Sequence, residues 1–273
     1  LGIKVGEWVL KIDGVDVSPM MNYWSLLDDL FARTTVLSVA SDQSGRDARE
    51  VAIGPVRHDW GDPRHLPWSA AEYKAWVDQV RAHVNEKSGG RIGYVHIQYM
   101  GGGPLEDFAR ELFTEDTNKD ALIIDIRWNG GGNIHEFLID ILSKPQFAWS
   151  RPRDGNIVQQ PAHRWGRPTV LMINERSTSD SEIFPEAFRE LHLGTIIGEA
   201  TPGAVIGTDE FRLVDGQTGL RLPMEGWFAL DYRNLENTGV QPDIRVVNDL
   251  NDIRNGIDDQ LDTSIEYLMK EIE

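Results

Sequence analysis

The chain contains no cysteine. That removes disulfides, thiolate metal ligands and a cysteine nucleophile together, and it leaves the compartment open. A cytoplasmic setting is the expectation, with the periplasm or export as the alternative. Basic residues are scarce, 27 Lys and Arg against 44 Asp and Glu, for a formal charge of −17. Phosphate-backbone binding relies on clustered cations, so nucleic acid is not an expected partner, and neither is an anionic membrane surface. No run approaches the roughly 20 apolar residues of a spanning helix, and no basic-then-apolar leader opens the sequence. Internal repeats and low-complexity tracts are missing as well. The 273 residues, 40% hydrophobic and 26% charged, suffice for a substantial core in one large domain or two modest ones.

Leu1–Gly54 reads as a small, mostly β module. Strands are expected at Glu7–Asp13, Thr35–Ala40 and Glu50–Ile53, with a turn at Asp13-Gly14. Ser18-Pro19 is a plausible helix start, and Met20, Trp24, Leu27 and Phe31 follow near helical spacing. His58–Trp68, rich in Pro, His, Asp and Trp, marks a linker, and Ser69-Ala-Ala-Glu72 is a capping-box pattern opening a helix to about Glu86. Trp60, Trp68, Tyr73 and Trp76 are expected to pack that helix against the core, with peptide stacking the weaker alternative. From Arg91 onward, strands (Ile92–Ile97, Leu122–Trp128, Thr169–Ile173, Thr195–Gly198) alternate with helices (Leu105–Leu112, Ile134–Ser143, Ser181–Leu191, Asp259–Ile272). This alternation predicts an α/β domain on a largely parallel sheet. Phe211–Met224 reads as a hairpin across Asp215-Gly216, an antiparallel annex.

Two turns carry chemistry. Asp125-Ile-Arg-Trp-Asn-Gly-Gly-Gly132 sets three glycines between a strand and a helix, where bare N–H groups can approach a phosphate or a developing oxyanion. The Gly-Lys-Ser/Thr ending of a P-loop is absent. Gly101-Gly-Gly103 also precedes a helix and reads as a flexible connection. The second turn, Asn174-Glu-Arg-Ser-Thr-Ser-Asp180, joins a strand to a helix and offers hydroxyls at the helix's positive end. Serines in such turns are more often N-caps. Position alone does not choose among Ser177, Ser179 and Ser181, and Ser181 beside Glu182 reads as a possible cap. Asp116-x-Asn118-x-Asp120 starts like a calcium loop, but Ala121 and Arg127 stand where glycine and glutamate are required. No zinc-ligand spacing occurs, so neither a metal nor a cofactor is expected.

Four motifs in order, namely the glycine turn, Ser177-Thr-Ser-Asp-Ser-Glu-Ile183, Thr195-Ile-Ile-Gly-Glu-Ala-Thr-Pro-Gly203 and Gly239-Val-Gln-Pro-Asp-Ile244, resemble the catalytic domain shared by carboxyl-terminal processing peptidases and the tricorn protease family. Gly2–Gly14 resembles the middle of a PDZ domain. The resemblance implies a crotonase-like α/β catalytic domain over 91–273, a linker and helix over 56–90, and an N-terminally incomplete PDZ-like module over 1–55. It also implies that Ser179 is the nucleophile, that Gly132 and Asp180 supply the oxyanion-hole amides, and that Glu236 completes a charge network. By their place in the sequence, and not by the resemblance, Gly131 and His135 are candidate supporting residues; for His135, just after the glycine turn, packing is the ordinary role and that of base the rarer alternative.

The processing peptidases use a lysine at the position of Ala204, so a Ser–Lys dyad is excluded and the tricorn branch, with a histidine base, is implied. None of His58, His65, His83, His96, His135, His163 or His192 matches that base. It is expected upstream of residue 1, and the chain alone is expected to be inactive. The resemblance further implies short or unfolded peptide substrates and a homo-oligomer, of which a hexamer is one form. The specificity wall would fall within Lys144–Asn156. The alternatives are a non-catalytic ligand-binding protein on the same fold, as in interphotoreceptor retinoid-binding proteins, and a peptide-binding adaptor acting through the PDZ-like module.

Overall fold

The computed structural model describes residues 3, 6–18, 20–27, 33–53, 70–115 and 118–273. The linker at 58–68, Pro19, Phe31, Ser69 and Asp116, with Trp60 and Trp68, lie outside the described residues. The chain divides into two compact units, residues 1–62 and 63–273.

The first unit is a four-stranded antiparallel sheet of β1 (Trp8–Ile12), β2 (Val15–Asp16), β3 (Thr35–Ala40) and β4 (Arg49–Ile53), in the order β2-β1-β3-β4. Asp13 and Gly14 both take positive φ (48° and 80°), the conformation of a two-residue hairpin turn whose twist matches its strands. Ile12, Leu37 and Val39 are buried together, and Leu26, Leu27, Val51 and Ile53 pack on them. The helix expected around Met20–Phe31 is replaced, among the described residues, by a single 3-10 turn at Tyr23–Leu26. Met20 is almost fully exposed, so the apolar spacing there does not define a buried face.

The second unit is a three-layer α/β domain. It runs α1 (Ala70–Lys87), β5 (Ile92–His96), α2 (Gly102–Arg110, passing into a π turn at Glu111–Glu115), β6 (Ala121–Asp125), α3 (His135–Ser143), β7 (Ala148–Ser150), β8 (Val158–Gln160), β9 (Thr169–Ile173), α4 (Asp180–Glu190), β10 (Thr195–Gly198), β11 (Gly207–Arg212), β12 (Gly219–Glu225), β13 (Ile244–Arg245), α5 (Leu250–Arg254) and α6 (Asp259–Glu271). Five strands form a sheet in the order β13-β10-β9-β6-β5, parallel at every pairing. Alternate residues point to opposite faces. Thus Leu122 and Ile124 pack with Phe108, Leu138, Phe184 and Phe188 of α2, α3 and α4. Ala121 and Ile123 pack with Val77 and Val84 of α1 and Leu261, Ile265 and Leu268 of α6. Strands buried on both faces read as continuous apolar runs, which is why the sequence exposes them.

α1 packs as a layer of this unit. Tyr73 and Trp76 pack against His96, and Trp76 meets Trp128 edge-on. β11 and β12 form the expected hairpin, with Gly216 at φ 70°. The Lys144–Asn156 region contains β7, paired antiparallel with β8. Gly101–Gly103 is no slack connection: α2 starts at Gly102, and Met100 bridges to Gly132. Among the described residues, no helix is long and apolar enough to cross a membrane.

Candidate active site

In a parallel sheet the carboxyl ends of all strands lie at one edge, and loops leaving adjacent strands converge there. β6 and β9 are neighbours, so the glycine turn and the serine turn meet above them. The segment 199–206, leaving β10, completes the cluster.

β6 ends at Asp125 rather than running on to Trp128 as its apolar pattern suggests. Asp125 accepts the Arg127 N–H at 3.0 Å and binds the Arg127 guanidinium at 2.8 Å, which turns the chain, and Trp128 follows at φ 61°. Arg127 is fully buried and also bonds Asp258 (2.9 Å) and Gln260 (3.1 Å) at the start of α6. Burial alone would lower the Arg127 pKa, but the charges of Asp125 and Asp258 outweigh it and hold the pKa above the ordinary value. Burial likewise favours neutral Asp258, but Arg127 overrides it and keeps its pKa low.

Asn129 ties the turns together. Its Nδ2 donates to Ile97 O (2.8 Å), its Oδ1 accepts from Gly131 N–H (2.9 Å), and its carbonyl accepts from Thr178 N–H (2.9 Å) and Ser181 Oγ (2.5 Å). Gly131 (φ 94°) then packs directly on the serine turn. A Cβ at Gly131 would lie 2.6 Å from Ser179 Cβ and 3.0 Å from Asp180 N.

The three serines separate by environment. Ser177 is buried, donating to Ile126 O (2.9 Å) and accepting from Asn174 N–H (3.1 Å). Ser181 is also buried, donating to Asn129 O and to Thr178 O (2.7 Å), so it does not cap α4. Ser179 remains partly accessible at φ 57°, ψ −123°, a backbone state that costs a non-glycine residue of order 1–3 kcal/mol. Its N–H bonds Ala204 O (3.0 Å) and Glu182 Oε1 (3.2 Å). The Glu182 N–H bonds the Ser179 carbonyl at 2.8 Å. Among the described residues, neither the Gly132 nor the Asp180 N–H donates a hydrogen bond.

Two carboxylates hold this corner. Glu182 is fully buried and, besides Ser179, accepts from Ala204 N–H (2.7 Å), Gly203 N–H (2.6 Å) and Thr201 Oγ1 (2.6 Å). Glu182→Ala would strand several buried donors at about 1–3 kcal/mol each, so a loss of at least roughly 3 kcal/mol in urea unfolding is expected. The second is the side chain of Asp180, whose Oδ2 accepts from Ile134 N–H (2.7 Å) and His135 N–H (3.2 Å) at the start of α3, while Oδ1 bonds His135 Nδ1. His135 is thus not an isolated packing residue. Its ring also stands edge-on to Trp227, with centroids 5.4 Å apart.

The Asp180 bond, opposed by partial burial, raises the His135 pKa. The stabilisation from this pair is complete below the usual imidazole value of about 6.5 and is lost as pH climbs through the higher folded value. Thermal melts of wild type and His135→Asn are expected to converge on going from about pH 6 to above that value.

Glu236 lies one step away. Its Oε2 accepts from Val205 N–H (2.9 Å) and Ile206 N–H (3.0 Å), next to Ala204, whose carbonyl holds Ser179. The structure therefore gathers Ser179, Asp180, Gly131, Gly132 and His135, with Glu236 behind the 204–206 segment.

The profile of "Peptidase family S41" matches residues 91–246. The chain is similar to the tricorn protease of Thermoplasma volcanium, 30% identical over 274 residues and covering 100% of this chain and 25% of that protein. It is 33% identical over 268 residues to the tricorn protease of Thermoplasma acidophilum, covering 98% of this chain and 24% of that protein. A crystal structure of the tricorn protease matches with a TM-score of 0.69 at 30% identity, over 99% of this chain and 26% of that one. The chain spans about a quarter of the length of these relatives.

Proposed function

Because the chain belongs to peptidase family S41, we propose that it carries the nucleophile half of a tricorn-type serine peptidase site. Ser179 attacks the scissile carbonyl, and the amides of Gly132 and Asp180 receive the oxyanion. The resulting acyl-enzyme is released by water. The observation that carries this reading is the separation of the three serines. The hydroxyls of Ser177 and Ser181 are consumed by main-chain bonds, while Ser179 stays accessible beside two unbonded amides. Each oxyanion donor contributes roughly 3–4 kcal/mol to the transition state.

A serine hydroxyl needs a base. Ala204, beside Ser179, supplies none, and among the described residues His135, whose Nδ1 is bonded to Asp180, makes no hydrogen bond to Ser179. The base histidine then comes from a segment preceding residue 1 in a longer protein, and Glu236 orients the network around it. On this reading the catalytic domain is crotonase-like and the first unit PDZ-like, the substrates are short or unfolded peptides, and the enzyme works as a homo-oligomer. The test compares residues 1–273 with a chain extended to tricorn length on fluorogenic oligopeptides. The extended protein is expected to cleave and the shorter one to be inactive. Cleavage by residues 1–273 that is lost in Ser179→Ala would place the base inside this chain instead.

A further inference from the structure

His135 sits where the two turns join, and the peptidase reading leaves its supporting role undefined. Its Nδ1 bonds one oxygen of Asp180, and the other oxygen holds the Ile134 and His135 main-chain N–H groups. One buried carboxylate therefore grips both the backbone and the side chain at the start of α3. Asp180 is also the first residue of α4, and its own N–H is one of the two unbonded amides. Gly132, bearing the other, lies three residues before His135. Gly131 and Gly132 themselves take φ 94° and 150°, conformations in which glycine has little intrinsic stiffness. Something outside the glycines must set the distance between the two amides.

Besides Asn129, which accepts from Gly131, Thr178 and Ser181, three contacts do so: Gly131 against Ser179 and Asp180, Met100 across Gly132, and the Asp180–His135 clamp. The first two are main-chain packing. Only the third joins side chains, with the imidazole held edge-on by Trp227. We propose that His135 is a positioning residue that, clamped on Asp180, fixes the separation of the Gly132 and Asp180 amides for a developing oxyanion. The role rests on the peptidase reading, but the geometry it requires can be measured without turnover.

The test uses two variants. His135→Phe keeps a ring against Trp227 without a donor, whereas His135→Asn places an amide N–H near the position of imidazole Nδ1. In ¹⁵N-labelled residues 1–273, the Gly132 and Asp180 amide resonances are expected to move together in the Phe variant and to return towards wild type in the Asn variant. In the extended protein, the Phe variant is expected to lose roughly 100-fold in kcat with KM little changed, the scale of a slight misplacement of a reacting group, and Asn to recover most of it. Unmoved amide resonances in His135→Phe, or an Asn variant that behaves like Phe, would overturn the proposal. If the wild-type extended protein cleaved nothing while the amides still responded to the clamp, the peptidase reading would fail and the role proposed for His135 in an oxyanion site would be overturned with it.

Discussion

Ser179→Ala is expected to lower kcat for peptide hydrolysis by the extended protein about a million-fold, leaving the folded state intact. The scale is that of removing a nucleophile which acts as a unit with its base. Because Ser179 occupies an unfavourable backbone region at φ 57°, alanine there meets the same strain and the turn geometry is retained. The N–H bonds to Ala204 and Glu182 use only main-chain atoms of residue 179 and survive. Ser177→Ala and Ser181→Ala have a different expected signature. Each deletes a buried hydroxyl bonded to a distant carbonyl, so they should weaken the fold by about 1 kcal/mol and affect activity far less than Ser179→Ala does. Kinetics of the three variants beside urea denaturation separate the roles. Loss of activity spread evenly over the three serines would not fit this account.

Arg127→Met carries the largest expected cost to stability, about 3–5 kcal/mol by chemical denaturation. The guanidinium is completely buried and serves Asp125, Asp258 and Gln260 at once. Its removal leaves the fully buried Asp125 carboxylate without its cation and frees the start of α6 from the end of β6. Tyr94 Oη donates to the same carboxylate at 2.9 Å and cannot neutralise it. Arg127→Lys retains charge but not the planar fork that reaches two carboxylates and an amide, so an intermediate loss is expected. Since the same turn leads into Asn129 and Gly131, the Met variant should also lose activity under conditions where it remains folded.

The parallel sheet was legible because strands buried on both sides must be continuously apolar, and β9 and β10 begin and end where their apolar runs do. The same pattern predicts a longer β6 than the fold contains. Ile126 and Trp128 continue the run, and only the Asp125–Arg127 contact, a three-dimensional fact, bends the chain there. The apolar spacing around Trp24 and Leu27 resembled a helix face but belongs to a 3-10 turn at Tyr23–Leu26.

In the site, local pattern gave three serines, and the discriminating bonds come from carbonyls 51 and 52 residues away. The bonds of the Asp180 carboxylate are not legible locally, because its partners Ile134 and His135 lie 46 and 45 residues earlier. Glu182 looked like half of a simple cap. Its remaining donors, at 201, 203 and 204, are brought to it only by the order of strands in the sheet.

The most direct measurement is mass spectrometry of the extended protein after reaction with a peptidyl phosphonate. This account predicts a single covalent adduct on the peptide containing Ser179, absent in Ser179→Ala. A folded extended protein that takes up no phosphonate, or carries it on another serine, would contradict it.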